Sequence, residues 1–250
     1  MKTRGKIFLI IAAACVLAAG TGLWIMLNGE AKYECRKAGD NEWVVLLHGI
    51  LRGPGSMEKI ERALQACGYR VVNFGYPSTR ESIMDSADLL NEELRKLLPG
   101  ATVHFVTHSM GAIVVRYYLA HYKAVTPARF VMIAPPNRGS SLARGLARFS
   151  LFRWIFGRAG MEVAQLPEAL VSSLPAPRCE FGVIAGGLGN DAGLNPFIDG
   201  DDDGTVTVEE TRLEGMKDFV QVKGQHSLLL LQQRVVDNVL AFLQTGGFLK

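Results

Sequence analysis

Three side chains in this 250-residue chain have the types that acyl transfer needs. Ser109 stands in "VHFVTHSMGAIVV", where a β-branched run gives way to a helix-forming one, so its hydroxyl would project from a sharp strand-to-helix turn. His226 stands in "VKGQHSLLL", between the last strand-like and the last helix-like run, where an imidazole can take the serine proton. Asp203, 23 residues earlier in "IDGDDDGTVTVEET", would hold the other ring nitrogen and stabilise the imidazolium. Asp201 or Asp202 fits that role if the turn is rotated. Backbone amides would complete the set: "LLHGI" ends a strong strand, and its His48-Gly49 turn can aim the Ile50 amide at a developing oxyanion. Met110, at the helix start, offers the second amide. His48 itself reads as a structural hydrogen-bonding residue, His104 and His121 as packing or surface residues, and His108 as pointing away from the serine hydroxyl.

The same letters admit other chemistry. Counted from Asp199, acids fall at loop positions 1, 3 and 5, with Gly204 at 6 and Glu210 at 12, the ligand spacing of an EF-hand calcium loop. An EF-hand needs a helix on each side. Upstream, "GNDAGLNPF" is rich in helix breakers, and downstream "TVTVEETRL" alternates with the period of a strand. An acidic turn feeding a strand is therefore expected, with a structural calcium near Asp199, Asp201 and Asp203 left open as an alternative. On its own motif, Ser109 also fits a helix-capping serine. Thr107 stands where the G-x-S-x-G pattern has glycine, whereas Gly111 supplies the small residue on the other side.

The elements that must position these groups alternate along the chain. "EWVVLLHG", "YRVVNFGYP", "ATVHFVTHS", "ARFVMIAPP", "EFGVIAGG" and "DFVQVKG" read as strands. Between them, "SMEKIERALQACG" is a helix closed by Gly68, and "RESIMDSADLLNEELRKLLPG" a long one with Ile83, Ala87, Leu90, Leu94 and Leu97 on one face. "MGAIVVRYYLAHYK" and "LLLLQQRVVDNVLAFLQ" complete the helical set. Such alternation predicts an α/β fold, a mainly parallel sheet with helices on both faces.

Composition supports one globular domain, with 48% apolar and 20% charged residues. A net charge of +3 and no long basic run argue against nucleic acid as a partner. The amino terminus differs: Lys2, Arg4 and Lys6 precede the uncharged stretch 7–27, long enough as a helix to span a bilayer. Residues 1–30 are expected to be an uncleaved signal-anchor, the following domain lying outside the cytoplasm, periplasmic in a bacterium. Signal cleavage with secretion is the alternative. Residues 31–42 read as a linker and 43–250 as the domain. Cys35, Cys67 and Cys179 follow no zinc spacing, and one disulfide is expected at most, its pairing unassigned.

"HGI" after a strand, "THSMGA", "APPNRGS" and "DGTVTVEE…GQHS", in that order, resemble the serine lipases and esterases of the α/β-hydrolase superfamily, above all compact bacterial ones. The resemblance runs from about Trp43 to Gly247. It implies Ser109 as nucleophile, His226 as general base then acid, Asp203 as its orienting acid, and the Ile50 and Met110 amides as oxyanion hole, with no cofactor. Pro135 to Ser141 would then shape the acyl pocket, and residues 138–178 occupy the place of a cap insertion. Within it, Arg144, Arg148, Arg153 and Arg158 mix with Phe149, Phe152, Trp154 and Phe156, a pattern that fits a lid or a membrane-surface helix as well as a plain packed cap. A hydrophobic acyl ester is the expected substrate, with membrane contact through residues 7–27 and the cap. An acyltransferase or thioesterase of the same fold, and a non-catalytic calcium-binding domain, are the alternatives.

Overall fold

The computed structural model describes residues 33–249 apart from 40, 166–169 and 172. The expected anchor, residues 7–27, lies outside them, and among the described residues no helix is long and apolar enough to cross a membrane. Among the described residues six strands run parallel: β1 (Trp43–Leu47), β2 (Arg70–Phe74), β3 (Thr102–His108), β4 (Thr126–Ile133), β5 (Glu180–Gly187) and β6 (Asp218–Lys223), in spatial order β2-β1-β3-β4-β5-β6. The helices are α1 (Glu58–Ala66), α2 (Ile83–Leu97), α3 (Gly111–His121), α4 (Ser141–Leu146), α5 (Ser150–Gln165), α6 (Val208–Thr211) and α7 (Gln233–Thr245).

The central strands β1, β3, β4 and β5 are largely buried on both sides because each side meets a helix layer. Val45, Leu47, Val103, Phe105, Phe130 and Met132 pack with Leu90, Leu94, Ile113 and Tyr118 of α2 and α3. Val44, Leu46, Val106, Val131 and Ile184 pack with Ile60 and Leu64 of α1 and Val235, Val239 and Phe242 of α7. The chain passes from β1 out to β2, returns to β3 on the other side of β1, and then continues outward to β6. The order therefore reverses between β1 and β3, and the loops leaving those strands diverge to open a crevice at the carboxyl ends.

Two expectations need correction. "TVTVEETRL" is not a strand: Thr207 caps the short helix α6, its hydroxyl accepting from the Glu210 amide while the Glu210 carboxylate accepts from the Thr207 amide. A Thr-x-x-Glu capping box outweighs the period-two pattern, and only an isolated bridge between Asp202 and Thr207 remains of strand pairing. In α2, Ile83, Ala87, Leu90 and Leu94 are buried as expected, but Leu97 is 53% exposed. The helix ends there, and the following Leu98 turns into the core instead.

Candidate active site

All the sequence-predicted residues converge at the carboxyl edge of the sheet. Ser109 follows β3 with φ of 53°, a conformation that costs a non-glycine residue of order 1 kcal/mol or more. The turn is held from both sides: the Ser109 amide donates to the Ile133 carbonyl at 2.8 Å, and the Ala112 amide to the Ser109 carbonyl at 3.0 Å. Gly111 fits because its missing Cβ would lie 2.7 Å from the His48 carbonyl oxygen and 2.9 Å from that of Leu47. The crowding thus comes from the end of β1, and Thr107, fully buried one residue inside the strand end, is accommodated where the motif has glycine. Ser109 does not cap α3; its hydroxyl lies 3.0 Å from His226 Nε2.

His226 sits on the loop after β6, and its Nδ1 lies 2.7 Å from Asp203 Oδ2. The other carboxylate oxygen of Asp203 accepts from the Thr205 and Val206 amides at 3.0 and 2.9 Å, and its carbonyl accepts from the His226 amide at 2.8 Å. These bonds satisfy a carboxylate that is wholly buried, so the charge needs no water. Ser109, His226 and Asp203 thus form one hydrogen-bonded chain, with each member at most 7% exposed.

Asp201, Asp202 and Glu210 of the acidic turn each accept from backbone amides. Asp201 accepts from the Leu188 and Gly189 amides at 2.7 and 2.8 Å and from the Gln221 side chain; burial alone would raise its pKa, but these bonds outweigh it and hold the pKa below the ordinary value. Asp202 accepts from the Asn195 and Gly204 amides. Glu210, the twelfth position of the calcium reading, caps α6 and accepts from the Ser141 amide at 2.6 Å. Among the described residues no cluster of three or more acids, histidines or cysteines is arranged to hold a metal ion.

His48 and His108 brace the site. His48 stacks on Tyr76 with ring centroids 4.4 Å apart and donates from Nδ1 to the Gly49 carbonyl at 2.9 Å, while the Tyr76 hydroxyl donates to the His48 carbonyl at 2.7 Å. His108 packs on the His226 ring at 4.8 Å and donates from Nε2 to the His226 carbonyl at 3.2 Å. Burial holds the pKa of both below the usual histidine range, His108 the further, so both stay neutral near pH 7. Nothing in sequence signals the His108 contact, which joins residues 118 apart.

A cavity of about 370 Å³ opens above Ser109. Ile50, Met110 and His226 line its floor, and Leu142, Leu146, Phe152, Phe156 and Val163 of α4 and α5 form its apolar wall. Helix α5 breaks at Gly157, whose φ of 59° and ψ of −154° let the chain pass against the Thr79 carbonyl, where any side chain would collide. The outer side of the cap also exposes apolar groups among its arginines: Phe149, between α4 and α5, and Leu151 and Trp154 of α5 are 50%, 63% and 82% exposed. Behind the cavity, the buried Arg116 guanidinium donates to the carbonyls of Val171 and Leu174 and to Asn137, tying the end of the cap to the loop after β4. Burial brings its pKa down to about 10.

A doubly wound parallel sheet whose carboxyl edge joins a serine, a histidine and an aspartate in one hydrogen-bonded chain defines an α/β protein of the hydrolase type. The model of the alpha/beta hydrolase family matches residues 44–221, and the chain belongs to that family. Among solved structures, the mature lipase BlEst2 of Bacillus licheniformis superposes with a TM-score of 0.62 at 18% identity, over 86% of this chain and 93% of that one. A metagenomic carboxyl esterase, MGS0156, gives 0.61 at 17% identity, covering 88% and 80%. A monoacylglycerol lipase of Paleococcus ferrophilus gives 0.60 at 17% identity, covering 85% and 96%. No curated protein sequence matches the chain.

Proposed function

We propose that the protein is a serine hydrolase that cleaves hydrophobic carboxylic esters through an acyl-enzyme on Ser109. The observation that carries this reading is the unbroken relay, 3.0 Å from Ser109 Oγ to His226 Nε2 and 2.7 Å from His226 Nδ1 to Asp203. As Oγ attacks the ester carbonyl, its proton passes to Nε2, and the imidazolium is stabilised by the Asp203 carboxylate. The negative charge gathering on the carbonyl oxygen is met by the amides of Ile50 and Met110, each such donor being worth about 3 kcal/mol in the transition state. Collapse breaks the C–O bond, and the Nε2 proton leaves with the alcohol. Water then repeats the sequence on the acyl-enzyme, releasing the acid and restoring Ser109.

The apolar wall of α4 and α5 favours a hydrocarbon acyl chain, and the lipase and esterase neighbours support an ester substrate. Each methylene buried there should contribute about 0.8 kcal/mol, a rise in kcat/KM of up to about fourfold per carbon until the cavity is filled. A chain-length series of p-nitrophenyl esters measures it; a flat series would remove the hydrophobic substrate from the proposal.

The chain is further proposed to be held at a membrane by residues 7–27, with its domain outside the cytoplasm. A disulfide between Cys35 and Cys67 supports the oxidising compartment. A fluorophosphonate should label the wild type, in chelator as well as out of it, and leave Ser109→Ala unlabelled. Labelling of the alanine variant would end the serine mechanism. Product analysis with competing alcohols, amines and thiols separates a hydrolase from an acyltransferase, and thioester substrates test for a thioesterase.

A further inference from the structure

The segment entering the domain is strapped to the sheet edge opposite the cavity. Cys35 is bonded to Cys67, the residue that closes α1 just before β2 begins, and the Ala38 amide donates to the Cys67 carbonyl at 2.7 Å. On its other side the strap is held by Gln244 in the last turn of α7: Oε1 accepts from the Arg36 amide at 3.0 Å and from the Tyr33 hydroxyl at 3.3 Å, and Nε2 donates to the Arg36 carbonyl at 2.6 Å. That end of α7 is level with the strand starts, since the Leu243 carbonyl accepts from Arg129, and Phe248 donates to Asp218, the first residue of β6. Every residue of the relay, by contrast, follows the carboxyl end of a strand. The strap and the mouth therefore lie at opposite ends of the parallel sheet.

Lengths decide what this does to the domain. From the strap level to Ser109 is the length of β3, seven residues or about 23 Å, and the cap helices over the cavity add about 10 Å. Between Leu27, the end of the sequence-predicted anchor, and Tyr33 lie only five residues, with a fully extended reach of about 20 Å. That reach is shorter than the height of the domain, so the chain cannot carry the mouth round to the surface from which it emerges.

We propose that the strap of residues 33–38 turns the cavity mouth away from the bilayer that holds residues 7–27, so the enzyme takes its ester from solution or from a facing lipid surface and not from its own bilayer. This rests on the ester-hydrolase reading and on the anchor. The exposed Phe149, Leu151 and Trp154 on the outer side of the cap then face that second source and not the bilayer of residues 7–27.

The test reconstitutes the full chain in phosphatidylcholine vesicles and measures three rates: on a soluble p-nitrophenyl ester, on a fluorogenic long-chain ester carried in separate vesicles, and on the same ester carried in the enzyme's own vesicles. The soluble ester is expected to be cleaved whatever the geometry, and either it or the separate vesicles identifies the source by the higher kcat/KM. Own-vesicle cleavage is expected to be at least about tenfold slower than cleavage in whichever of those two is preferred. Inserting twenty Gly/Ser residues between Asn28 and Gly29 should remove most of that deficit. Equal rates on own-vesicle ester at the native length, or no gain on lengthening, overturn the proposal, as does failure of the chain to float with the vesicles. Loss of cleavage of all three, with Ser109 unlabelled by fluorophosphonate, sinks the hydrolase reading instead. A readout free of activity is energy transfer to a dye at the bilayer surface, in a Cys15→Ser, Cys179→Ser background. A donor at Lys37→Cys should transfer more efficiently than one at Leu151→Cys, and equal or reversed efficiencies overturn the orientation.

Discussion

At the amino edge of the sheet, turns that need a positive φ are given to glycine, as at Gly68 after α1 and Gly246 after α7. At the carboxyl edge the same conformation falls also on Ser109 and Ala134, directly after β3 and β4, and on Leu51 in the loop after β1. Among the described residues these are the only non-glycine positions of that kind. The amino edge has no use for a side chain at its turns and relaxes; it is stitched by the Cys35–Cys67 bond and by Glu180 between Arg129 and Lys217. The carboxyl edge sets the Ser109 hydroxyl at one of its tightest points, and the strain persists because strand pairing on both sides of β3 leaves the backbone no alternative. One edge of the sheet is built for stability and the other for position.

Substitutions at the two edges should separate those roles. Asp203→Asn keeps the size of the side chain but offers an amide to His226 Nδ1, which selects the wrong tautomer. A fall in kcat of about 10⁴ is expected with little change in Tm; a loss below tenfold would show that the carboxyl edge does not depend on this contact. At the amino edge, Cys35→Ser with Cys67→Ser opens a loop of 32-residue separation. Unfolding free energy should drop by about 3 to 4 kcal/mol in urea titration, while kcat on a soluble ester stays within about twofold. A matching loss of activity would mean that the strap also positions the site.

The smallest effect lies between the edges. His104, inside β3 against the Tyr69 ring, is held by burial at a pKa of about 4, below its unfolded value near 6.5. Because the unfolded chain binds that proton more readily, the contribution is full above pH 6.5 and is lost as pH falls towards 4. From pH 7 to pH 5 this one group should remove roughly 2 kcal/mol of stability. His104→Phe should flatten that slope in paired urea titrations; an unchanged slope would assign it elsewhere.

Sequence made the sheet legible because runs such as "WVVLL" and "FGVIAGG" are apolar on both sides, which only a strand between two helix layers requires. Ser109 and His226 could be placed because each stands at a strand-to-helix passage, a feature of local pattern. The alternation in "TVTVEE" misled because a capping box of four residues is as local as a strand and stronger here. His108 against His226, Arg116 beneath the cap and the pairing of Cys35 with Cys67 all depend on segments brought together by the fold, and composition carries no trace of such meetings.

Cys179 is the remaining thiol among the described residues, half-buried, with burial raising its pKa to about 11. At neutral pH almost none of it is thiolate, the form that attacks a sulfur–sulfur bond. Once the entering segment is fastened, the third cysteine is too weak a nucleophile to shuffle it. In the folded domain the Cys35–Cys67 bond is thus insulated from exchange with Cys179.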